Sequence, residues 1–150
     1  MASNARFNNN FLDLRTESEA KPDLYRDYFL NYDLSKWRVG SGGGPFKYFD
    51  GEGQSYSLTI MHDGRCGIAL AYQKWDEQKN RPKGTNRYSL GDEAALGEMF
   101  ETEDDFVMPR GIYMKPEETW CAVLDFLTDP TQPSEKIRWV DGKNISWPDL

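Results

Sequence analysis

From Tyr56 to Tyr72 the chain reads YSLTIMHDGRCGIALAY, and the spacing of its apolar residues decides the fold. Tyr56, Leu58 and Ile60 share one face, and Ile68, Leu70 and Tyr72 share another. Alternation with a period of two is how a strand buried on one side is written. Asp63-Gly64 lies between the two runs as a turn dipeptide, because glycine takes positive φ without steric cost. The stretch predicts a β-hairpin whose turn occupies Met61 to Arg65, with Cys66 the first inward residue of the second strand.

Working outward, Trp75 to Thr85 reads as a charged loop punctuated by Pro82 and Gly84. Arg87 to Leu90 and the span from about Glu98 to Met108 can add further strands to one edge of the sheet. Pro116 opens a helix in which Trp120, Val123, Leu124 and Leu127 fall at i, i+3, i+4 and i+7, giving one apolar face. Pro130 and Pro133 end it. Ile137 and Trp139 then alternate in a short extended segment before a turn at Asp141-Gly142.

On the N-terminal side, Trp37 and Val39 suggest a strand, Gly40 to Pro45 a flexible connection, and Phe46 to Phe49 an aromatic strand. Before these, Leu24, Tyr25, Tyr28, Phe29 and Tyr32 recur at helical spacing, so a first helix is expected from Ser18, as N-cap, through about Tyr32. The first 17 residues are Asn-rich and without period. They are expected to be frayed or to form one short edge strand around Phe11 to Leu14.

These elements define an α+β fold: a twisted, mainly antiparallel sheet of about five to seven strands packed on one face by two helices. At 150 residues, one domain spanning 1–150 is expected. No stretch has the apolar length needed to span a bilayer as a helix, and Met1 to Asn10 lacks the apolar core of a signal peptide, so a cytoplasmic location is expected.

The net charge is −7, and its placement is unusual. Asp92, Glu93, Glu98, Glu101, Glu103, Asp104 and Asp105 lie in one run that contains no Lys or Arg, while the rest of the chain carries 18 acidic and 18 basic residues. All of the net charge therefore comes from one block. Such a block repels phosphates and anionic membranes, so neither nucleic acid nor membrane is an expected partner. A run of this kind is either a solvated face or a surface that steers a basic protein partner into place. Glu98, Glu101, Glu103, Asp104 and Asp105 are thus candidate partner-binding residues. Trp75 and Tyr72, near the charged loop, are candidate aromatic anchors, because interface hot spots favour Trp, Tyr and Arg within a polar rim, while core packing accounts equally well for Tyr72.

Catalytic readings fare less well. His62, Asp63 and Cys66 are close in sequence, and a thiol beside an imidazole is how cysteine nucleophiles are activated, but a hairpin turn accounts for the same residues. His62 is the only histidine, which leaves no multi-histidine metal site and no triad with a spare base. The glycines before Lys47 lack the following helix that a phosphate loop requires. The crowded carboxylates are neither a poised glycosidase pair nor a calcium loop with its central glycine. Cys66 and Cys121 have no ligand spacing and are expected to be buried, reduced thiols. No catalytic residue, metal or cofactor is expected.

The C-terminal third, from Met108-Pro109 through Pro116, Trp120 to Leu127, Pro133 and Ile137-Arg-Trp139, resembles an immunity-protein family of bacterial polymorphic toxin systems, and Val39 to Asp50 resembles that family's early strand pair. The resemblance implies an inhibitor rather than an enzyme, used in interbacterial competition, with a cognate toxin protein as partner, often of the deaminase or nuclease kind. It implies core roles for Trp120, Phe126, Leu127 and Trp139 and assigns no binding residue. An acidic adaptor of a secretion system and a small cysteine-dependent enzyme are the alternative readings.

Overall fold

In a computed structural model, residues 5–12, 14–37, 42–102 and 105–148 are described. The fold is α+β: a large, mostly antiparallel sheet with two helices. The chain starts with β1 (Arg6–Phe11), β2 (Leu14–Ser18) and the five-residue helix α1 (Arg26–Leu30). The centre of the sheet is β3 (Gly42–Phe49), β4 (Gln54–Asp63) and β5 (Gly67–Asp76), followed by the short β6 (Arg81–Pro82) and β7 (Arg87–Ser89). Then come β8 (Met99–Glu101), β9 (Val107–Pro109), helix α2 (Pro116–Thr128) and β10 (Trp139–Asp141). The main sheet has eight strands in the order β10-β7-β5-β4-β3-β1-β2, with β6 beside β5, while β8 and β9 form a separate two-stranded sheet.

The predicted hairpin is the β4–β5 pair, in register from Gln54↔Asp76 to Asp63↔Gly67. Leu58 faces Tyr72 and Ile60 faces Leu70, so the two apolar rows merge into one surface. That surface packs under the helices, where Leu58, Ile60, Ile68 and Leu70 are at most 1% exposed. Cys66 belongs to the turn rather than to the strand, which starts at Gly67. Both cysteines are free and half-buried, not fully buried as expected. Cys66 sits in the exposed corner of the hairpin, and Cys121 on the flank of α2, where its thiol reaches the Glu118 carbonyl at 3.2 Å.

Helix α2 begins as predicted, with Pro116 in its first turn and Glu117 and Glu118 placed favourably against the helix dipole. Trp120, Val123, Phe126 and Leu127 are buried, and Leu124 is partly so. Its C-terminal exit is tied to the sheet by Tyr72, whose hydroxyl donates to the Pro130 carbonyl at 2.8 Å, and by Trp139, whose indole N–H donates to Ser134 at 2.7 Å. Ile137 lies just outside β10.

The first helix differs from expectation. Ser18 is no N-cap: it ends β2 with φ +76°. A 3-10 turn at Pro22–Leu24 precedes α1, which stops at Leu30. The reason is that the N-terminal residues join the sheet, with β1 inside it between β2 and β3. Phe7, Asn9 and Phe11 point toward the helices, and a buried Asn hides the strand pattern. Asn9 is satisfied by accepting from the Lys47 amide at 3.2 Å and donating to the Ala20 carbonyl at 3.3 Å. Phe11, fully buried, is ringed by Tyr25, Phe29, Trp37 and Phe46 at centroid separations of 5.3 to 5.7 Å. Arg6–Phe11 is therefore an interior strand rather than a frayed start, and β2 forms the edge. Val39, Gly40 and Ser41 lie outside the described residues, and Gly42 to Pro45 already belong to β3.

Trp75 to Thr85 is only partly a loop. Trp75 and Asp76 extend β5, and the chain turns back to pair Pro82 with Trp75. The acidic span does not lengthen the main sheet: β8 and β9 pair only with one another, through Met99↔Pro109, Phe100↔Met108 and Glu101↔Val107. They sit on the side of the sheet away from the helices, in a second apolar cluster built on Ala69, Ile112, Tyr113 and Ile145. What fixes them there is a β-bridge between Ile68 and Met114, with reciprocal N–H···O contacts of 2.9 and 2.8 Å. Gly67 has φ +106°, and a Cβ on it would collide with the Met114 carbonyl, so this approach requires glycine.

Candidate partner-binding surface

Residues two apart on a strand share a face. On the helix-free side, the row across the central strands runs Thr59, Ala71, Tyr88, Val140, as set by the pairs Thr59↔Ala71, Ala71↔Tyr88 and Val140↔Tyr88. Ala71 is the smallest of the four and leaves a dent. The β8–β9 hairpin hangs over that dent, and together they enclose an open groove of about 450 Å³. Its floor is Thr59, Met61 and Ala71, and Phe106 and Met108 form its upper wall. Phe106 is 63% exposed, the most exposed of the large apolar side chains described.

Of the predicted site residues, Glu98, Glu101 and Asp105 are exposed on or beside this hairpin. Glu103 and Asp104 lie outside the described residues. Glu101 adjoins Thr102, and Asp105 adjoins Phe106, both of which line the groove. The loop between them is closed by the Thr102 amide donating to the Phe106 carbonyl at 2.7 Å and the Phe106 amide donating to the Thr102 hydroxyl at 3.1 Å. Asp105 adopts φ +65°.

The fold brings bases toward the acidic run that sequence alone separates from it. Arg65 and Arg110 both lie over the Phe100 ring, at 5.4 and 5.3 Å, and Arg138 approaches Glu93 at 3.9 Å. Arg65 is engaged with the buried Asp63 and with the Glu101 carbonyl oxygen, not its carboxylate. Asp92 caps the turn that follows it by accepting from the Ala94 amide at 3.0 Å. Glu98, Glu101 and Asp105 form no ion pair among the described residues.

Trp75 is half-buried on the same side of the sheet as Ala71 but four residues further along β5, about 13 Å away at strand rise. The structure does not bring it into the groove. A partner footprint of ordinary size, about 800 Å² per side, spans both positions.

The histidine and the cysteine have different hydrogen-bond partners. His62 is 5% exposed, bonded through Nε2 to the Tyr32 hydroxyl at 2.6 Å and stacked on Trp37 at 4.8 Å. Cys66 instead accepts from Arg110 Nη1 at 3.5 Å. Burial pushes the Cys66 thiol above its ordinary pKa and nearby Asp63 adds to this, outweighing Arg110 and Arg65. That is the reverse of what a nucleophilic cysteine needs. Among the described residues, no group of three or more His, Cys, Asp or Glu side chains is placed to hold a metal ion, and no helix is long and apolar enough to cross a membrane.

Sequence reasoning missed the groove residues. The signal for Phe106 was present, as a lone aromatic directly after four carboxylates in five residues. The signal for the floor was Thr59 and Met61, which give β4 a second partly apolar side. Comparison with protein-family models, with curated proteins and with solved structures finds no match to this chain.

Proposed function

We propose that this chain is an immunity-type inhibitor: a protein-binding domain, not an enzyme, that neutralises a cognate bacterial toxin by covering the toxin's basic, nucleic-acid-facing cleft. The observation that carries it is the exposed set Glu98, Glu101 and Asp105, without ion-pair partners among the described residues, on or beside a hairpin that also exposes Phe106. Carboxylates concentrated in one segment repel one another, and a cationic partner relieves that repulsion while being steered to the surface. An apolar anchor inside a charged rim is the usual composition of a binding patch. Glu103 and Asp104 extend the same run in sequence, and Trp75 supplies an outlying contact. The resemblance of the C-terminal third supplies the toxin as the class of partner.

The test is to capture the partner from the native host at low and high salt, and then to co-express it. The captured domain alone is expected to arrest growth, and the wild-type chain to restore it. The triple variant Glu98→Lys, Glu101→Lys, Asp105→Lys is expected to lose protection while keeping its circular dichroism and urea midpoint. A non-toxic partner, or full protection by the folded triple variant, overturns the proposal.

A further inference from the structure

We infer that the groove between the sheet and the β8–β9 hairpin receives one bulky apolar side chain of the partner, Phe or Leu in size, flanked on the partner's own chain by Lys or Arg. This rests on the reading of the acidic hairpin as a protein-docking surface and adds what it recognises.

The groove is shaped for a side chain. Its floor is lowest at Ala71, between Thr59 and Tyr88 on the neighbouring strands, and such a dent accepts what a larger residue there would have filled. Met61 and Met108 line it, and their unbranched thioethers adjust to an incoming group. A groove of about 450 Å³ lies within the range of sites that accept a small ligand or an anchoring residue. Phe106, standing exposed at the mouth, gains contact only when something fills the space beside it.

Charge selects the flanks. Glu101 and Asp105 are the chain neighbours of two groove-lining residues, Thr102 and Phe106, and neither carboxylate forms an ion pair among the described residues. An apolar residue seated in the groove therefore brings its own neighbours against carboxylates, and only cationic neighbours recover the cost of desolvating them.

Two peptides of equal charge, KRFKR and KRSKR, test this by titration into the intact chain with its methionine methyls labelled with carbon-13. The expected result is tighter binding of KRFKR by about tenfold or more, as for burying one large apolar side chain. Shifts at the Met61 and Met108 methyls should accompany it. Ala71→Trp, which fills the dent, is expected to abolish the preference, and Thr59→Trp serves the same end should the first variant not fold. Glu101→Lys with Asp105→Lys is expected to weaken both peptides.

Equal binding of the two peptides, a preference that survives filling the groove, or unmoved methionine methyls overturns the inference. Equal binding that is still lost on charge reversal leaves the acidic docking surface standing and removes only the groove. A Phe preference indifferent to charge reversal removes the cationic flanks, as binding of a small apolar molecule would. No binding of either peptide removes the groove inference as well, while the co-expression test decides the docking surface independently.

Discussion

Arg65 grips the fully buried carboxylate of Asp63 in a fork, with Nη2 at 3.0 Å from Oδ2 and Nε at 3.2 Å from Oδ1, while its own amide donates to Oδ1 at 2.9 Å. The same Nη2 reaches the Glu101 carbonyl at 2.8 Å. One side chain thus satisfies a buried charge in the β4–β5 turn and pins the acidic hairpin above it.

Replacing Arg65 with Ala is expected to cost about 2 kcal/mol in urea denaturation, because the Asp63 carboxylate keeps its burial and loses its fork. The cost stays below that of a fully buried pair because the Arg65 side chain is 59% exposed. Amide exchange across β8 and β9 should quicken in the same variant, since the Glu101 tether is gone. An unchanged midpoint with unchanged exchange would show that the fork carries neither role.

How much was legible follows from where each pattern is written. The β4–β5 hairpin and α2 were readable because each keeps its period without interruption and each ends at a turn residue or a proline. The N-terminal hairpin was not, because Asn9 occupies an inward position and is satisfied by two backbone partners that only the folded chain supplies. The acidic residues were readable as charge, but their setting was not. Met61 is far in sequence from Phe106 and Met108, and it meets them only once the Ile68–Met114 bridge lays the segment after β9 against β5.

Phe11 gives the sharpest check on the N-terminus. Its ring is fully buried among Tyr25, Phe29, Trp37 and Phe46, so Phe11→Ala is expected to cost about 3 to 5 kcal/mol. Had these residues been a frayed start, the cost would be near zero. Thermal or urea melts of the variant distinguish the two, and a loss below about 1 kcal/mol would place β1 outside the cooperative core.

Cys66 tests the enzymatic alternative. Because burial raises its pKa above that of an ordinary thiol, the thiolate is scarcer at neutral pH than in a free cysteine. In a Cys121→Ser background, which leaves one thiol to read, reaction with a disulfide reagent is expected to be slower than for a free thiol near neutrality. The rate should go on rising with pH beyond the point at which a free thiol levels off. The linkage sign is that of a raised folded-state pKa: any stability it contributes is present below the unfolded value and is lost as pH rises through the folded one. If the proposed function holds, Cys66→Ser leaves protection intact, because the proposed surface at Glu98, Glu101 and Asp105 makes no use of the thiol. Fast labelling at neutral pH together with loss of function in Cys66→Ser would instead mark this cysteine as the working nucleophile and return the protein to the class of enzymes.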